Sequence, residues 1–277
     1  MGSVAGGWLP LLVRYTHLQM QVVLSFVGAL MLGVALFHLL PHGIVAAGGD
    51  VDLVVFWTMV GLLVMFFLIR AFHFHQHDRE DQALHAENVP HYDDHHEHGH
   101  GDHPPPVHRY SWLGVALGLS LHTLIDGIAL GAAILADAGH TRVPGFAIFL
   151  AILLHKPLDA LSITTLMTAS GWDSRTRQLV NVCFAMMCPL GALLMILKLA
   201  QTGPGGHIVL GCALGFSAGV FLCISLGDLL PEVQFHRHDR LKLSVALLLG
   251  ISVAYGIRFL EPAHVHSGGA VVEQQEE

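Results

Sequence analysis

Apolar residues run in long, almost unbroken stretches along this chain, and polar residues gather between them. Each stretch is close to the roughly 20 residues a helix needs to cross the hydrocarbon core of a bilayer. The pattern predicts seven full spans, over 20–41, 52–71, 111–136, 144–169, 179–200, 207–230 and 243–260. Residues 6–13 are also apolar but too few to cross. They lack the charged start and cleavage site of a secretory signal, and they read as the remnant of an eighth span. The expected organisation is 1–71 for the remnant and two spans, 72–110 for a loop, 111–169 for two central spans, 170–262 for three more, and 263–277 for an acidic tail.

Basic residues orient such a bundle, because they collect on the cytoplasmic side. With 14–19 and 72–110 placed inside, Arg14, Arg70, Arg79, Arg109, Arg175, Arg177, Arg237, Arg240 and Lys242 all fall in the cytoplasm. Only Arg142, Lys198 and Arg258 fall outside, and Lys156 is within a span. The tail with Glu273, Glu276 and Glu277 is then extracytoplasmic.

Residues 26–42 and 216–232 align without gaps. They share Phe26/Phe216, Leu32/Leu222, Leu36/Leu226 and the run Leu39-Leu40-Pro41 against Leu229-Leu230-Pro231, with His38 against Asp228 and His42 against Glu232. The charge pattern runs these two helices in opposite directions. An inverted repeat of this kind is a common transporter plan, with its site near the midplane at the repeat interface.

Composition agrees with a polytopic all-α membrane protein. Hydrophobic residues make up 53% of the chain and charged residues 12%, with a mean hydropathy of +0.59. Soluble domains carry about 25% charged residues. The formal charge of −8 lies in loops and tail, and no basic stripe or motif points to nucleic acid. Cys183, Cys188, Cys212 and Cys223 lie in apolar segments without zinc-ribbon spacing and read as small core residues. The anomaly is histidine: 22 in all, eleven of them between His73 and His108.

Two phrases carry the chemistry, His122-Thr123-Leu124-Ile125-Asp126-Gly127 and His155-Lys156-Pro157-Leu158-Asp159-Ala160. Each sets a histidine and an aspartate four residues apart, on one face of a helix. Ionisable groups within a span are costly and usually face a partner or a polar pathway. Imidazole with carboxylate suits zinc, and also iron or manganese. His122, Asp126, His155 and Asp159 are therefore the candidate ligands of one divalent cation. Pro157 frees the carbonyl of Leu153 and is expected to kink its helix. Gly127 and Gly131 are expected to let the two ligand-bearing helices approach closely. Lys156 adjoins the site, where its ammonium stands in for a second cation or forms an ordinary salt bridge with Asp159, Asp228 or Glu232. Thr123 is either an auxiliary oxygen ligand or a hydroxyl bonded back to its own helix, the bonded-back form being the commoner use. Asp228 and Glu232, four apart, either receive an ion leaving the centre or sit at the interface. His38 and His42, at the matching outer end, either meet an incoming ion or belong to the surface. Asn181 reads as structural.

At these residues the chain resembles the ZIP (Zrt/Irt-like) family of divalent metal transporters, over most of its length. Residues 122–127 match the family's His-[Asn/Ser]-x-x-[Asp/Glu]-Gly with threonine in second place. Residues 155–160 match its next span more loosely, with proline at 157, aspartate for glutamate and Ala160 for glycine. Residues 36–41 and 228–232 resemble the endings of its second and seventh spans, and a histidine-rich cytoplasmic loop is typical. The resemblance implies a bundle of eight spans, of which 6–13 retains the first. It implies His122, Asp126, His155 and Asp159 as primary metal ligands, with a bridging site at Thr123, Lys156, Asp159 and Asp228. Lys156 departs from the acidic or amide residue common there, which argues for a single ion.

Residues 72–110, ending in Pro104-Pro105-Pro106, cannot bury a core and are expected to be disordered and to bind zinc, copper or nickel loosely, or to act as a plain linker. The expected function is transport of a divalent transition metal, zinc foremost, into the cytoplasm. The rival readings are an intramembrane metal-dependent hydrolase, a non-transporting metal sensor, and export. The hydrolase is disfavoured because four ligands leave no open position for water and His-Glu-x-x-His is missing. The protein is thus expected to be no enzyme and to need no cofactor. Its partners are the metal ion as substrate and the lipid of a cell (inner) membrane, and a homodimer is compatible with this reading.

Overall fold

The computed structural model describes residues 17–86, 111–138, 143–235 and 240–260, and leaves out the side chains of 17, 72–86, 111, 204, 228–235, 240 and 260. The apolar remnant at 6–13, residues 87–110 and the acidic tail lie outside the described residues. Helix α1 (His17–Val34) passes through a π turn (Ala35–Leu39) into α2 (Leu40–Ala46). There follow α3 (Val51–Ala86), α4 (Ser111–Asp137), α5 (Phe146–Ala169), α6 (Ser174–Thr202), α7 (Gly206–Phe235) and α8 (Arg240–Ile257), with single 3-10 turns after α6 and α8. No strand occurs among the described residues.

Among the described residues, six stretches are long and apolar enough to cross a membrane: Leu18–Ala46, Val51–Ala71, Trp112–Asp137, Phe146–Ala169, Ser174–Thr202 and Gly206–Gly227. The seventh predicted span appears as the shorter apolar helix Leu241–Ile257. Helix α3 continues to Ala86, fifteen residues beyond the predicted end of its span and into the stretch expected to be disordered. Large apolar side chains on its outer face, such as Phe56 and Phe67, and on that of α6, such as Leu179 and Met186, are exposed. Lipid tails suit such faces, because a helix already satisfies its own backbone bonds.

Three pairs of parallel helices are each closed by glycine, and the first two, α3 with α7 and α1 with α8, form the frame. A Cβ on Gly61 of α3 would lie 2.0 Å from the Phe216 carbonyl oxygen of α7, and one on Gly219 would lie 1.9 Å from the Thr58 oxygen. A Cβ on Gly250 of α8 would lie 2.4 Å from the Phe26 oxygen of α1. Phe26 and Phe216 are the aligned residues of the sequence repeat, so the same carbonyl meets a glycine of the helix that follows the other repeat, Gly250 of α8 for Phe26 and Gly61 of α3 for Phe216. The repeat is thus one of packing as well as of sequence. The third pair is α4 with α6. Here the expectation for Gly127 and Gly131 needs correction: they face Cys188 and Ala192 of α6, not α5. The cysteine reading also changes. All four are free thiols; Cys183 is exposed and the others are half-buried, so they belong to the rim of the packing rather than its core.

Between the frames lies an asymmetric interior. In the half toward the α4–α5 connection, Leu30, Val34, Leu39, Ala129, Ala133, Ala147, Ala151 and Leu214 pack into one buried cluster. In the other half a cavity of about 700 Å³ opens between α1, α3, α4, α5 and α7, with Met65, Ile69, Val115 and Thr165 along its walls. At that end Asp173 caps α6, accepting the N–H groups of Arg175 and Thr176. Its bonds to Thr176 hold the carboxyl below the usual aspartate range. The cap is therefore complete above that range and fades only as pH falls below it.

Candidate metal centre

Helices α4 and α5 cross at the inner end of the cavity, and the two sequence phrases meet there. His122, Asp126 and His155 each present one donor atom, all within 4.8 Å of one another. His122 Nδ1 is 3.5 Å from Asp126 Oδ1, and His155 Nε2 is 3.2 Å from Asp126 Oδ2. Asp159 Oδ2 completes the ring at 4.0 Å from His122 Nε2 and 3.9 Å from His155 Nε2. Asp126 is fully buried, whereas the Asp159 side chain keeps 15% exposure and faces the cavity. His122 Nδ1 and Asp126 Oδ1 are buried without a hydrogen-bond partner. A buried acceptor left so is costly unless something occupies it.

His155 Nδ1 lies 2.8 Å from the Ala151 carbonyl, one turn back. A carbonyl only accepts, so Nδ1 carries the hydrogen there, and Nε2, 3.2 Å from Asp126 Oδ2, is the nitrogen turned to the site. Phe221 of α7 meets the same ring edge-on at 6.3 Å and fixes its plane. Two imidazoles and two carboxylates converging on one point make a donor set that suits zinc.

Lys156 comes round to the same point. Its Nζ donates to Asp126 Oδ2 at 2.9 Å, Asp159 Oδ2 at 3.3 Å and Thr123 Oγ1 at 2.7 Å, and sits 5.2 Å from the centre of the Phe184 ring. Thr123 in turn donates to the Leu119 carbonyl at 2.7 Å, so its hydroxyl is the back-bonded form and its lone pairs serve the lysine. Thr123 and Lys156 therefore stand beside the four candidate ligands, the hydroxyl holding the ammonium. The ammonium bonds both site carboxylates, on the side of Asp126 away from His122. Asp228 and Glu232 lie on α7, but their side chains are outside the described residues.

His38 and His42 form a different group, at the far end from the cavity. His38 is fully buried in the π turn, and its Nε2 donates to the Ala254 carbonyl at 2.8 Å, in the last turns of α8. The turn arises because the Leu40 N–H reaches back to Ala35, one residue further than in an α-helix. His42 Nε2 lies 3.1 Å from Asp137 Oδ1. Asp137 drew no attention in the sequence, although a carboxylate at the end of an apolar stretch is a signal of the same type as Asp126. Phe184 and Phe221 were also missed, whereas the Leu119 carbonyl is the back-bonding partner expected for Thr123. Only the carbonyls, one turn before Thr123 and His155, follow from helical spacing.

The family described as ZIP Zinc transporter matches residues 1–258 of the chain. Among curated proteins, the chain is 33% identical over 132 residues to zinc transporter ZIP9 of Micropogonias undulatus, covering 47% of this chain and 42% of that protein. It is 29% identical over 149 residues to zinc transporter ZIP3 of Homo sapiens, covering 54% and 46%. It is 26% identical over 147 residues to zinc transporter ZIP1 of Homo sapiens, covering 53% and 44%. The matched stretch thus spans less than half the length of each relative. With the family match over nearly the whole chain, on a bundle of membrane-length helices, the chain belongs to the ZIP zinc transporter family.

Proposed function

We propose that this protein carries a divalent transition metal, zinc foremost, across its membrane and into the cytoplasm through the His122–Asp126–His155–Asp159 centre. The observation that carries the reading is the convergence of three buried donor atoms within 4.8 Å at the end of a cavity leading to one face of the bundle. A metal there exchanges its water shell for two imidazoles and two carboxylates, and the mix of nitrogen and oxygen holds zinc without trapping it as four thiolates would. The cavity opens toward the end that bears Arg70, Arg175 and Arg177, the cytoplasmic side by the distribution of basic residues. The opposite half is packed shut by the apolar cluster around Leu30, Leu39 and Ala133. The conformation is then inward-facing, and rocking of α4, α5 and the α6 packed on α4 against α1, α3, α7 and α8 would expose the centre to the other side.

Lys156 limits the site to one ion. Its ammonium lies against both carboxylates, where a second cation would be repelled. It also offsets Asp126 and Asp159 between loads, so the emptied centre does not hold two uncompensated buried charges. The membrane potential is a sufficient drive, at about 2.3 kcal/mol per charge per 100 mV.

Radioactive zinc influx into proteoliposomes tests the proposal. Saturable influx is expected from the wild type, and its loss in both His122→Ala and Asp159→Ala. Stoichiometric zinc binding with no flux in the wild type would replace the transporter by a sensor.

A further inference from the structure

One buried polar contact joins both ligand-bearing helices to the frame at the end away from the cavity. His42 Nε2 of α2 lies 3.1 Å from Oδ1 of Asp137, the last residue of α4. The other oxygen of Asp137 accepts the N–H of Gly145, 2.8 Å away, at the start of α5. This carboxylate thus gathers the far ends of α4 and α5 and ties both to α2.

The hydrogen count of the contact is constrained by its geometry. His42 Nδ1 is 2.6 Å from the His38 carbonyl oxygen, which only accepts, so Nδ1 carries a hydrogen. Nε2 faces a carboxylate oxygen, which also only accepts when ionised. Nε2 meets the carboxylate as an ion pair rather than in hydrogen-bond geometry, and that pair attracts only when it holds one proton beyond neutral imidazole and carboxylate. Without that proton, a nitrogen lone pair is set against a carboxylate at 3.1 Å. Asp137 is the titratable group facing His42 from α4, and the His38 ring stacks on it at 6.4 Å from its own helix. From α3 and α7, Val54, Gly211 and Leu214 pack on the adjoining Gly43, and none of them titrates. From α8 comes the Ala254 carbonyl, bonded to His38. His140 and Arg142, in the α4–α5 connection, lie outside the described residues.

We propose that His42 and Asp137 form a proton-binding site that locks the far end of the transporter, apart from the metal centre. With the proton bound, the far ends of α4 and α5 are held to α2 and the metal centre opens only to the cavity side. When the proton leaves to water, the contact turns repulsive, the ends part from α2, and the centre becomes open to the far compartment. Acid in that compartment favours the conformation described here, and alkali favours the opposite one. The inference rests on the alternating-access reading above.

The test uses the full chain in sealed proteoliposomes, with Thr165→Cys as a reporter in the cavity wall. An impermeant maleimide is applied from the cavity side at constant pH, while the far compartment is set to about pH 5.5 or about pH 8. Labelling is read peptide by peptide, which separates the reporter from the native cysteines. In the wild-type background, reporter labelling is expected to slow several-fold at the alkaline far-side pH. Asp137→Asn is the discriminating variant: its amide can donate to a neutral His42 Nε2 while its oxygen still accepts from Gly145. Fast labelling at both pH values is expected for it. His42→Ala is expected to label slowly at both. Unchanged wild-type labelling between the two pH values would overturn the proposal, whatever the variants do. A wild-type pH response that persists in Asp137→Asn would overturn it as well. Zinc flux from the same vesicles is scored separately: its loss everywhere would count against transport, since labelling needs no transported ion.

Discussion

Asp126→Ala is expected to abolish stoichiometric zinc binding and to lower the stability of the protein in the same step. Asp126 faces three other members of the centre: His122 at 3.5 Å, His155 at 3.2 Å and Lys156 at 2.9 Å. Losing even an outer partner of a metal ligand commonly costs 10–100-fold in affinity, so removal of a central ligand is expected to cost more than about a hundredfold. The stability effect has a separate origin. Lys156 is buried, and without Asp126 its ammonium retains Thr123, the longer contact to Asp159 and the face of the Phe184 ring. Breaking one partner out of a buried ion pair typically costs about 3–5 kcal/mol. Asp126→Ala,Lys156→Met, which removes both charges, is expected to regain much of that stability while zinc binding stays lost. Zinc retained through gel filtration and thermal unfolding in detergent read the two effects. A double variant no more stable than Asp126→Ala would show that the ion pair does not govern the loss.

The second large effect is expected at Gly127, a residue that touches no metal. A valine there would place Cβ 2.1 Å from the Cys188 oxygen and 2.9 Å from the Ala192 nitrogen of α6. The contact is reciprocal, since Gly191 of α6 brings its own hydrogen against the Leu124 oxygen of α4. Both sides are backbone, so no flexible side chain can yield, and the two helices must separate. Overpacking of this kind commonly costs 1–3 kcal/mol, and for a backbone-to-backbone contact about 3 kcal/mol or more is expected. Because His122 and Asp126 ride on α4, the shift is also expected to weaken zinc binding. Gly256→Ala is the control: a Cβ there meets nothing within 4 Å. It should change stability by no more than about 1 kcal/mol, in the direction of greater stability because alanine favours helix. Equal melting temperatures for Gly127→Val and Gly256→Ala would contradict the packing assigned to α4 and α6.

The parts of this protein that depend on local spacing were legible before any coordinates. Helical spans follow from runs of apolar residues, and their observed ends mostly fall within a few residues of the predicted ones. The pairing of His122 with Asp126, and of His155 with Asp159, follows from a four-residue step on one helix face. The repeat between 26–42 and 216–232 was visible as text and returned as equivalent glycine-to-carbonyl contacts at Phe26 and Phe216.

What escaped the sequence depends on which helices become neighbours. Gly127 and Gly131 announced a close approach without saying to which helix, and α6 is the answer. Lys156, one step beyond His155, starts on a different helix face. Its four-carbon stem bends back to reach Asp126 across the helix boundary, as long amphipathic side chains can. Phe184 and Phe221 come from α6 and α7 and have no signature along the chain. His38 shows how a buried histidine near a ligand-like repeat can serve structure instead, donating to a carbonyl of α8 from a π turn. The turn itself is not readable from composition, although Pro41 just beyond it removes a backbone donor and relaxes the local helix.

Zinc-edge X-ray absorption on the protein loaded with zinc, with the metal counted per chain, tests the central claim most directly. One zinc per chain is expected, with two imidazole nitrogens and two carboxylate oxygens at about 2.0–2.2 Å and no second metal nearby. A sulfur neighbour at about 2.3 Å, a zinc–zinc vector, or a first shell with fewer than two imidazoles would contradict it.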